Sequence, residues 1–182
     1  MNIRVVELCA EKVDDFYLLH SEKNGMGHCF CTAWWVPTWE EWDNRTVEQN
    51  RVLREKLFHD GIFDGYLMYD GDRPVGWCQC GPRDRMPKIR QTYNLTPDRD
   101  ILAVSCFYLL PEYREIGLAR FFLDEIIKDL RSKGIGRLQG FPCRGKDLGA
   151  EDIWTGPERI FQEAGFNLEI DNDRHPVYDI RL

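Results

Sequence analysis

The sequence predicts an α+β fold built on a mixed sheet, and three observations carry that reading. Strand-like and helix-like stretches are intermixed from one end to the other instead of being segregated into blocks. Residues 65–82 and 168–182 each read as two strands around a short turn, Asp-Gly-Asp in the first and Asn-Asp in the second, which makes antiparallel neighbours. Between them the run "ILAVSCFYLL" (101–110) has almost no polar side chains, reads as a buried strand, and leads into an amphipathic helix. The chain has 182 residues, which suits a single domain over 1–182. A domain of that size buries about 70% of its unfolded surface and needs no staple.

Each element has its own local reason. "IRVVELCA" (3–10) alternates weakly and suits a first strand, and "EKVDDFYLLHSE" (11–22) carries Val13, Phe16 and Leu19 at helical spacing. Residues 24–37 break the periodicity with glycines, cysteines and tryptophans. Thr38 with Glu41, and Thr46 with Gln49, have capping-box spacing, so 38–60 is one long helix or two shorter ones ending at Gly61. Residues 81–100, rich in Pro, Arg, Lys and Asp, read as a long connection with at most one helical turn. In "GLARFFLDEIIKDLRSKG" (117–134) Leu118, Phe122, Ile126 and Leu130 form an apolar stripe flanked by Phe121 and Ile127. "RLQGFPC" (137–143) is a short strand and 144–156 a polar connection. "PERIFQEAGF" is a helix with Pro157 at its start and Gly165 past its end.

Composition narrows the function. The net charge of −7 argues against nucleic acid or an anionic membrane as the main partner, because both need a basic face. An acidic chain is compatible with an amine substrate. The cysteines at 9, 29, 31, 78, 80, 106 and 143 are odd in number, and the opening "MNIRVVELCAEK" is charged where a secretory leader is apolar. Both features point to reduced thiols and a cytoplasmic location. The apolar run at 101–110 is far short of the ~20 residues that span a bilayer.

The stretch "PEYREIGLAR" (111–120) carries the strongest functional signal. Arg114, Gly117 and the small Ala119 stand where a buried strand ends and a long helix exposes its first amides. A helix N-terminus with bare amides favours a phosphate group, although a glycine that merely turns the chain looks the same locally. "SCFYLLPEYREIGLARFFLDEII" resembles the acetyl-CoA-binding motif of the GNAT superfamily of acyl-CoA-dependent N-acetyltransferases, Arg/Gln-x-x-Gly-x-Gly/Ala after a strand. "RIFQEAGF" resembles that family's second motif, and the spacing through "KGIGRL" also fits. Together they cover roughly residues 65–170.

The resemblance implies a sheet of six to seven strands, mostly antiparallel, splayed beside the fourth strand and flanked by helices. It implies an acetyl-CoA-binding core at 65–170 and an acceptor-side part at 1–64. Backbone groups at Phe107 and Leu109 would pair with the pantetheine amides, and the amides of Arg114, Glu115, Ile116, Gly117, Leu118 and Ala119 would hold the pyrophosphate. The implied reaction is direct attack of an amine of a small molecule or peptide on the thioester of acetyl-CoA, with no metal. Exposed sheet edges in such a fold often find a second copy, so a homodimer is an expectation.

Two positions depart from the family pattern. The usual general-acid tyrosine is Phe161 here, and the asparagine found seven residues earlier in many members is Trp154. Tyr108 and Cys143 stand as candidates for the missing acid, each also readable as simple packing. His28 is a candidate base with the alternative of an ordinary surface histidine. Trp34 and Trp35 read either as packing or as an apolar, cation-binding wall, while Trp39 and Trp42 at i, i+3 read as core. The pairs Cys29/Cys31 and Cys78/Cys80 have spacing too short to be a strong zinc signal. Two other readings stay open: an acyl-CoA sensor without catalysis, and a cysteine-based metal or redox protein.

Overall fold

The computed structural model describes residues 1–21, 27–149 and 152–182. Its strands are β1 (Ile3–Glu7), β2 (Tyr66–Asp70), β3 (Arg73–Pro82), β4 (Ile101–Leu109), β5 (Arg137–Gly140), β6 (Asn167–Ile170) and β7 (Val177–Arg181). They form one sheet in the order β1-β2-β3-β4-β5-β7-β6. Only β4 and β5 run parallel, and the other neighbours are antiparallel. The fold is α+β with a mixed, mostly antiparallel sheet, as the sequence predicts.

Side chains alternate across a strand, so β3 sends Trp77 to one face and Cys78 to the other. On the first face Trp77 meets Phe16 of α1 (Val13–Leu19) at 4.9 Å, and Phe16 meets Phe58 of α3 (Val47–His59) at 5.3 Å. On the second face Phe107 meets Phe122 of α5 (Leu118–Ser132) at 6.1 Å and Phe161 of α6 (Glu158–Glu163) at 6.2 Å. The Tyr66 hydroxyl donates to Asp129 of α5 at 2.7 Å. Phe16, Trp77, Phe122 and Phe161 are fully buried, and each such ring contributes about 1.5–3 kcal/mol over leaving it in water.

The stretch 38–60 is two helices, α2 (Trp39–Asp43) and α3. Thr46 in extended conformation caps α3 through a complete capping box with Gln49, and that conformation breaks any continuous helix. Thr38 caps α2 by accepting from the Glu41 amide at 3.0 Å. The connection 81–100 is more ordered than expected: a 3₁₀ turn at Arg83–Arg85 leads into α4 (Pro87–Tyr93), which Asn94 ends at φ +49°. Two of its cations are buried: Arg83 donates to Gln139 and to the Thr96 carbonyl, and Lys88 reaches the Thr38 carbonyl. On α5 the stripe includes Leu123 and Ile127, which tilts it away from Phe121, and that ring stays 38% exposed.

Three expected boundaries shift. The first strand stops at Glu7, where Leu8 turns its amide to the Gly65 carbonyl. The strand expected over 137–143 stops at Gly140, and Cys143 makes only an isolated bridge to Pro157. Helix α1 stops at Leu19. Glu22 at the end of that expected helix, residues 24–26 of the irregular segment, and residues 150–151 of the polar connection lie outside the described residues.

The sheet opens beside β4. β5 pairs with β4 only from Ile101↔Arg137 to Val104↔Gly140, so residues 105–109 continue with no β5 partner. At the same level β4 bulges, because Gln79↔Cys106 and Cys80↔Val104 leave Ser105 unopposed on β3.

Candidate active site

The site has two ends, both hung on β4. At its C-terminal end Leu110 leads into a 3₁₀ turn (Pro111–Tyr113), then Arg114–Gly117, then α5. Gly117 is the N-cap of α5, at φ +85° and with no side chain to cap the helix. A Cβ placed there would meet nothing within 4 Å, so the requirement for glycine is conformational and the space above it is open. Glu115 also adopts positive φ, at +62°. Among the described residues no acceptor meets the amides of residues 115–120. An α-helix of this length carries about half a unit of positive charge at such an end. The corner is a cradle for an anion.

Backbone groups of three expected ligands, Phe107, Leu109 and Arg114, are already engaged. The Arg114 amide closes the 3₁₀ turn on the Pro111 carbonyl at 3.2 Å, and the Arg114 guanidinium folds back to the Leu109 carbonyl at 2.8 Å and over the Tyr108 ring. The Phe107 amide donates to the Trp154 carbonyl at 2.7 Å. Residues 154–157 thus lie in the fork between β4 and β5. Gly156 makes this possible: a Cβ there would come within 2.8 Å of the Phe107 ring and 3.0 Å of the Phe161 ring.

Phe161 itself is a core wedge. Its ring lies so close to Gly140 that a Cβ on that glycine would sit 2.2 Å away, and Phe166 closes it off at 5.3 Å. No surface is left on it for a substrate.

The other end is a cavity of about 460 Å³ at the bulge. Its polar floor is the fork, with Cys106 from β4 on one side and Cys143 from the chain beyond β5 on the other. Its walls are aromatic: Trp34, Trp39, Trp42, Tyr93 and Trp154. Trp34 is the hub, at 5.6 Å from Trp39, 5.3 Å from Trp154 and 6.4 Å from Tyr93. Its indole N–H donates to the Ser105 carbonyl at 3.0 Å, so the bulge that opens the sheet also anchors the wall.

His28 and His175 lie at the exposed rim, His28 edge-on to Trp42 at 5.7 Å. Partial burial and the neighbouring Arg174 lower the pKa of the His175 imidazole from its ordinary value. Burial pushes the Cys29 thiol up to about 11 and raises Cys143. Contact with Cys31, then burial, raises Cys106 well above the ordinary thiol value. Burial also pushes on Cys31, but its contact with Cys106 and the charge of Arg54 bring it below that value. Arg54 is fully buried and donates to the Phe30 and Cys31 carbonyls at 2.9 and 2.6 Å.

The model of the acetyltransferase (GNAT) family matches residues 29–154, which include the cavity's tryptophans, the bulge and the anion cradle. The chain belongs to the GNAT family. Solved structures share this GNAT fold along the whole chain. An acetyltransferase from Thermus thermophilus has 16% identity, coverage of 100% of this chain and 98% of the other, and a TM-score of 0.59. PaiA N-acetyltransferase from Thermoplasma acidophilum, in complex with coenzyme A, has 14% identity, full coverage of both chains and a TM-score of 0.57. YncA from Salmonella typhimurium, with acetyl-CoA, has 14% identity, coverage of 100% and 95%, and a TM-score of 0.55. No curated protein matches the chain in sequence.

Within this GNAT chain the structure gathers Cys143 and His28 at the cavity. Tyr108 is not among the residues that line it; the ring lies buried beside Arg114, and burial raises its hydroxyl pKa. The tryptophan reading is redistributed. Trp34 is a wall as one reading had it, Trp35 instead packs over the buried Arg54, and Trp39 and Trp42 face the cavity rather than the core. Helix α2 has no buried residue at all, which is why i, i+3 spacing misled: both rings share a face, and that face covers a cavity. Sequence reasoning missed Cys106, Tyr93, Asp152 and His175, which only the folded chain brings to one place. The cysteine pairs separate, since Cys29 and Cys31 line the cavity while Cys78 points to the opposite face. Among the described residues no group of three His, Cys, Asp or Glu is placed to hold a metal ion.

Proposed function

We propose that this protein is an acetyl-CoA-dependent N-acetyltransferase that acylates the primary amine of a small molecule or peptide by direct attack in a ternary complex. One observation carries the reading: a cradle of amides without acceptors and an aromatic cavity lie at the two ends of one bulged strand, with the fork between them. Residues 65–170 supply the donor side and residues 1–64 much of the acceptor wall, so the chain works as one catalytic domain.

The amides of 115–120 hold the diphosphate, and the dipole of α5 favours its charge. Bound acetyl-CoA supplies the activated acyl group. Residues of β4 beyond the bulge, Phe107 and Leu109, face the pantetheine arm; the Phe107 amide exchanges the Trp154 carbonyl for a pantetheine acceptor. The cavity holds the amine in line, and that positioning supplies much of the rate. An imidazole at the rim, His28 or His175, takes the ammonium proton. The amine nitrogen bonds to the thioester carbon, the C–S bond breaks, the departing sulfur receives a proton, and the second proton shed by the nitrogen returns to the group that gave it. Cys143, protonated at neutral pH and on the cavity floor, is placed to give it; Tyr108 is the alternative donor. All seven cysteines are free thiols and no described helix is long and apolar enough to cross a membrane, which supports a cytoplasmic setting.

The test is titration calorimetry with acetyl-CoA, followed by thiol release with a panel of amines. The reading expects micromolar binding and amine-dependent release of CoA. Binding with no release from any amine would favour an acyl-CoA sensor, and no binding would end both readings.

A further inference from the structure

The walls of the cavity say what kind of amine fits, given the transferase reading on which this inference rests. Among the described residues that line it, Asp152 is the only carboxylate, and both of its oxygens are taken. Oδ1 accepts from Arg174 at 2.8 Å and Oδ2 from the Gly149 amide at 3.0 Å. Among the same residues there is no lysine or arginine. Lys88 comes near, but it is buried outside the lining, 3.7 Å from the Trp39 ring centre and 3.3 Å from the Thr38 carbonyl. Cys31 faces Arg54, so ionisation of that thiol adds no net charge to the wall.

The remaining lining is rings, thiols, Ala33 and the uncharged hydroxyls of Thr92 and Thr155. Its volume, about 460 Å³, lies toward the lower end of the range for small-molecule pockets. Indole faces attract an ammonium without a counter-ion, at about 0.5–2 kcal/mol, and stack on flat unsaturated bodies. Among the described residues, a second ammonium would find a carboxylate already paired with Arg174, and an acceptor carboxylate would find that same paired guanidinium at the rim. Each would have to compete with an existing ion pair for its partner, which is costly.

We propose that the acceptor is a monoamine with a flat, uncharged, apolar body, an arylalkylamine in chemical class, and that the cavity turns away polyamines and free amino acids. The ring enters between Trp34, Trp154 and the α2 tryptophans, and the amine reaches the fork at Cys106 and Cys143. Selection lies in what the wall lacks as much as in what it offers.

Two matched pairs test this on the full chain: tryptamine against tryptophan, which adds only a carboxylate, and hexylamine against 1,6-diaminohexane, which adds only an ammonium. Release of CoA and binding by titration calorimetry are read in parallel. Tryptamine is expected to exceed tryptophan, and hexylamine the diamine, at least tenfold in kcat/KM and in affinity. Trp42→Ala, on a helix with no buried residue, is expected to raise the KM for tryptamine about tenfold while acetyl-CoA affinity by calorimetry is retained. Turnover of the diamine or of tryptophan at equal or better efficiency overturns the proposal and leaves the transferase reading standing. Selective binding of tryptamine with no CoA release from any amine supports the ligand class and sinks the transferase reading. Failure of tryptamine to bind at all overturns the proposal.

Discussion

The corner at the start of α5 and the aromatic cavity sit at the two ends of one strand and are built from different materials. The corner is main chain: amides of 115–120, a glycine at φ +85°, and an Arg114 side chain that folds back on Leu109. The cavity is side chain: rings and thiols drawn from residues 28–42, 92–106, 143–155 and 175. A site made of backbone needs a particular local conformation, which a short run of residues sets. A site made of side chains needs long-range packing, and its members are free to change while the fold persists. The difference teaches where a transferase of this kind keeps what it shares with relatives and where it keeps its own specificity.

The largest test breaks the corner. Gly117→Val puts a β-branched residue at positive φ, which costs about 1–2 kcal/mol or more and re-aims the amides. Acetyl-CoA affinity by calorimetry is expected to fall at least a hundredfold, while binding of an acceptor amine is unchanged. An equal fall in both would erase the division between the two ends.

A second test concerns the face of the sheet that supports the cavity. There His20 is fully buried, stacked on Phe16 at 4.0 Å and donating Nδ1–H to the Phe16 carbonyl at 2.9 Å. Burial lowers its pKa to about 3 from an ordinary 6.5. Between those values the unfolded chain binds a proton that the folded chain refuses, so stability falls as pH drops from 6.5 toward 3. His20→Leu is expected to remove part of that loss, read as a smaller drop in melting temperature between pH 7 and pH 4.5. Parallel curves for the two proteins would show that His20 does not contribute.

The smallest test sharpens the division. Arg114→Ala removes a guanidinium that the structure ties to Leu109 and Tyr108 rather than to open solvent above the cradle. Acetyl-CoA affinity is expected to fall less than tenfold, far below the effect of Gly117→Val. A loss of a hundredfold or more would make the side chain itself a ligand.

The same division explains what was readable in advance. The order of elements, the caps of Thr38 and Thr46, the apolar stripe of α5 and the loop at 114–119 are each stated by neighbours in the chain, and hydrogen-bond geometry acts over that range. The long connection at 81–100 was harder, because Pro, Arg and Lys usually mark solvated loops. Here Arg83 and Lys88 find carbonyls and a ring across the fold, so their stretch becomes ordered. The tryptophans show the limit most clearly: spacing placed Trp39 and Trp42 on one face but had no means of saying what that face covers.

By itself, then, the amino-acid order determined a mixture of strands and helices and a helix with bare leading amides, which depend on conformational preferences within a few residues. Its motifs carried the resemblance to the family. Only tertiary structure decided that Trp154 reaches into the fork to hold Phe107, that Phe161 became a wedge against Gly140 and Gly156, and that five rings close around one cavity. Those outcomes depend on which distant surfaces exclude water together, and close packing settles that for the whole chain at once.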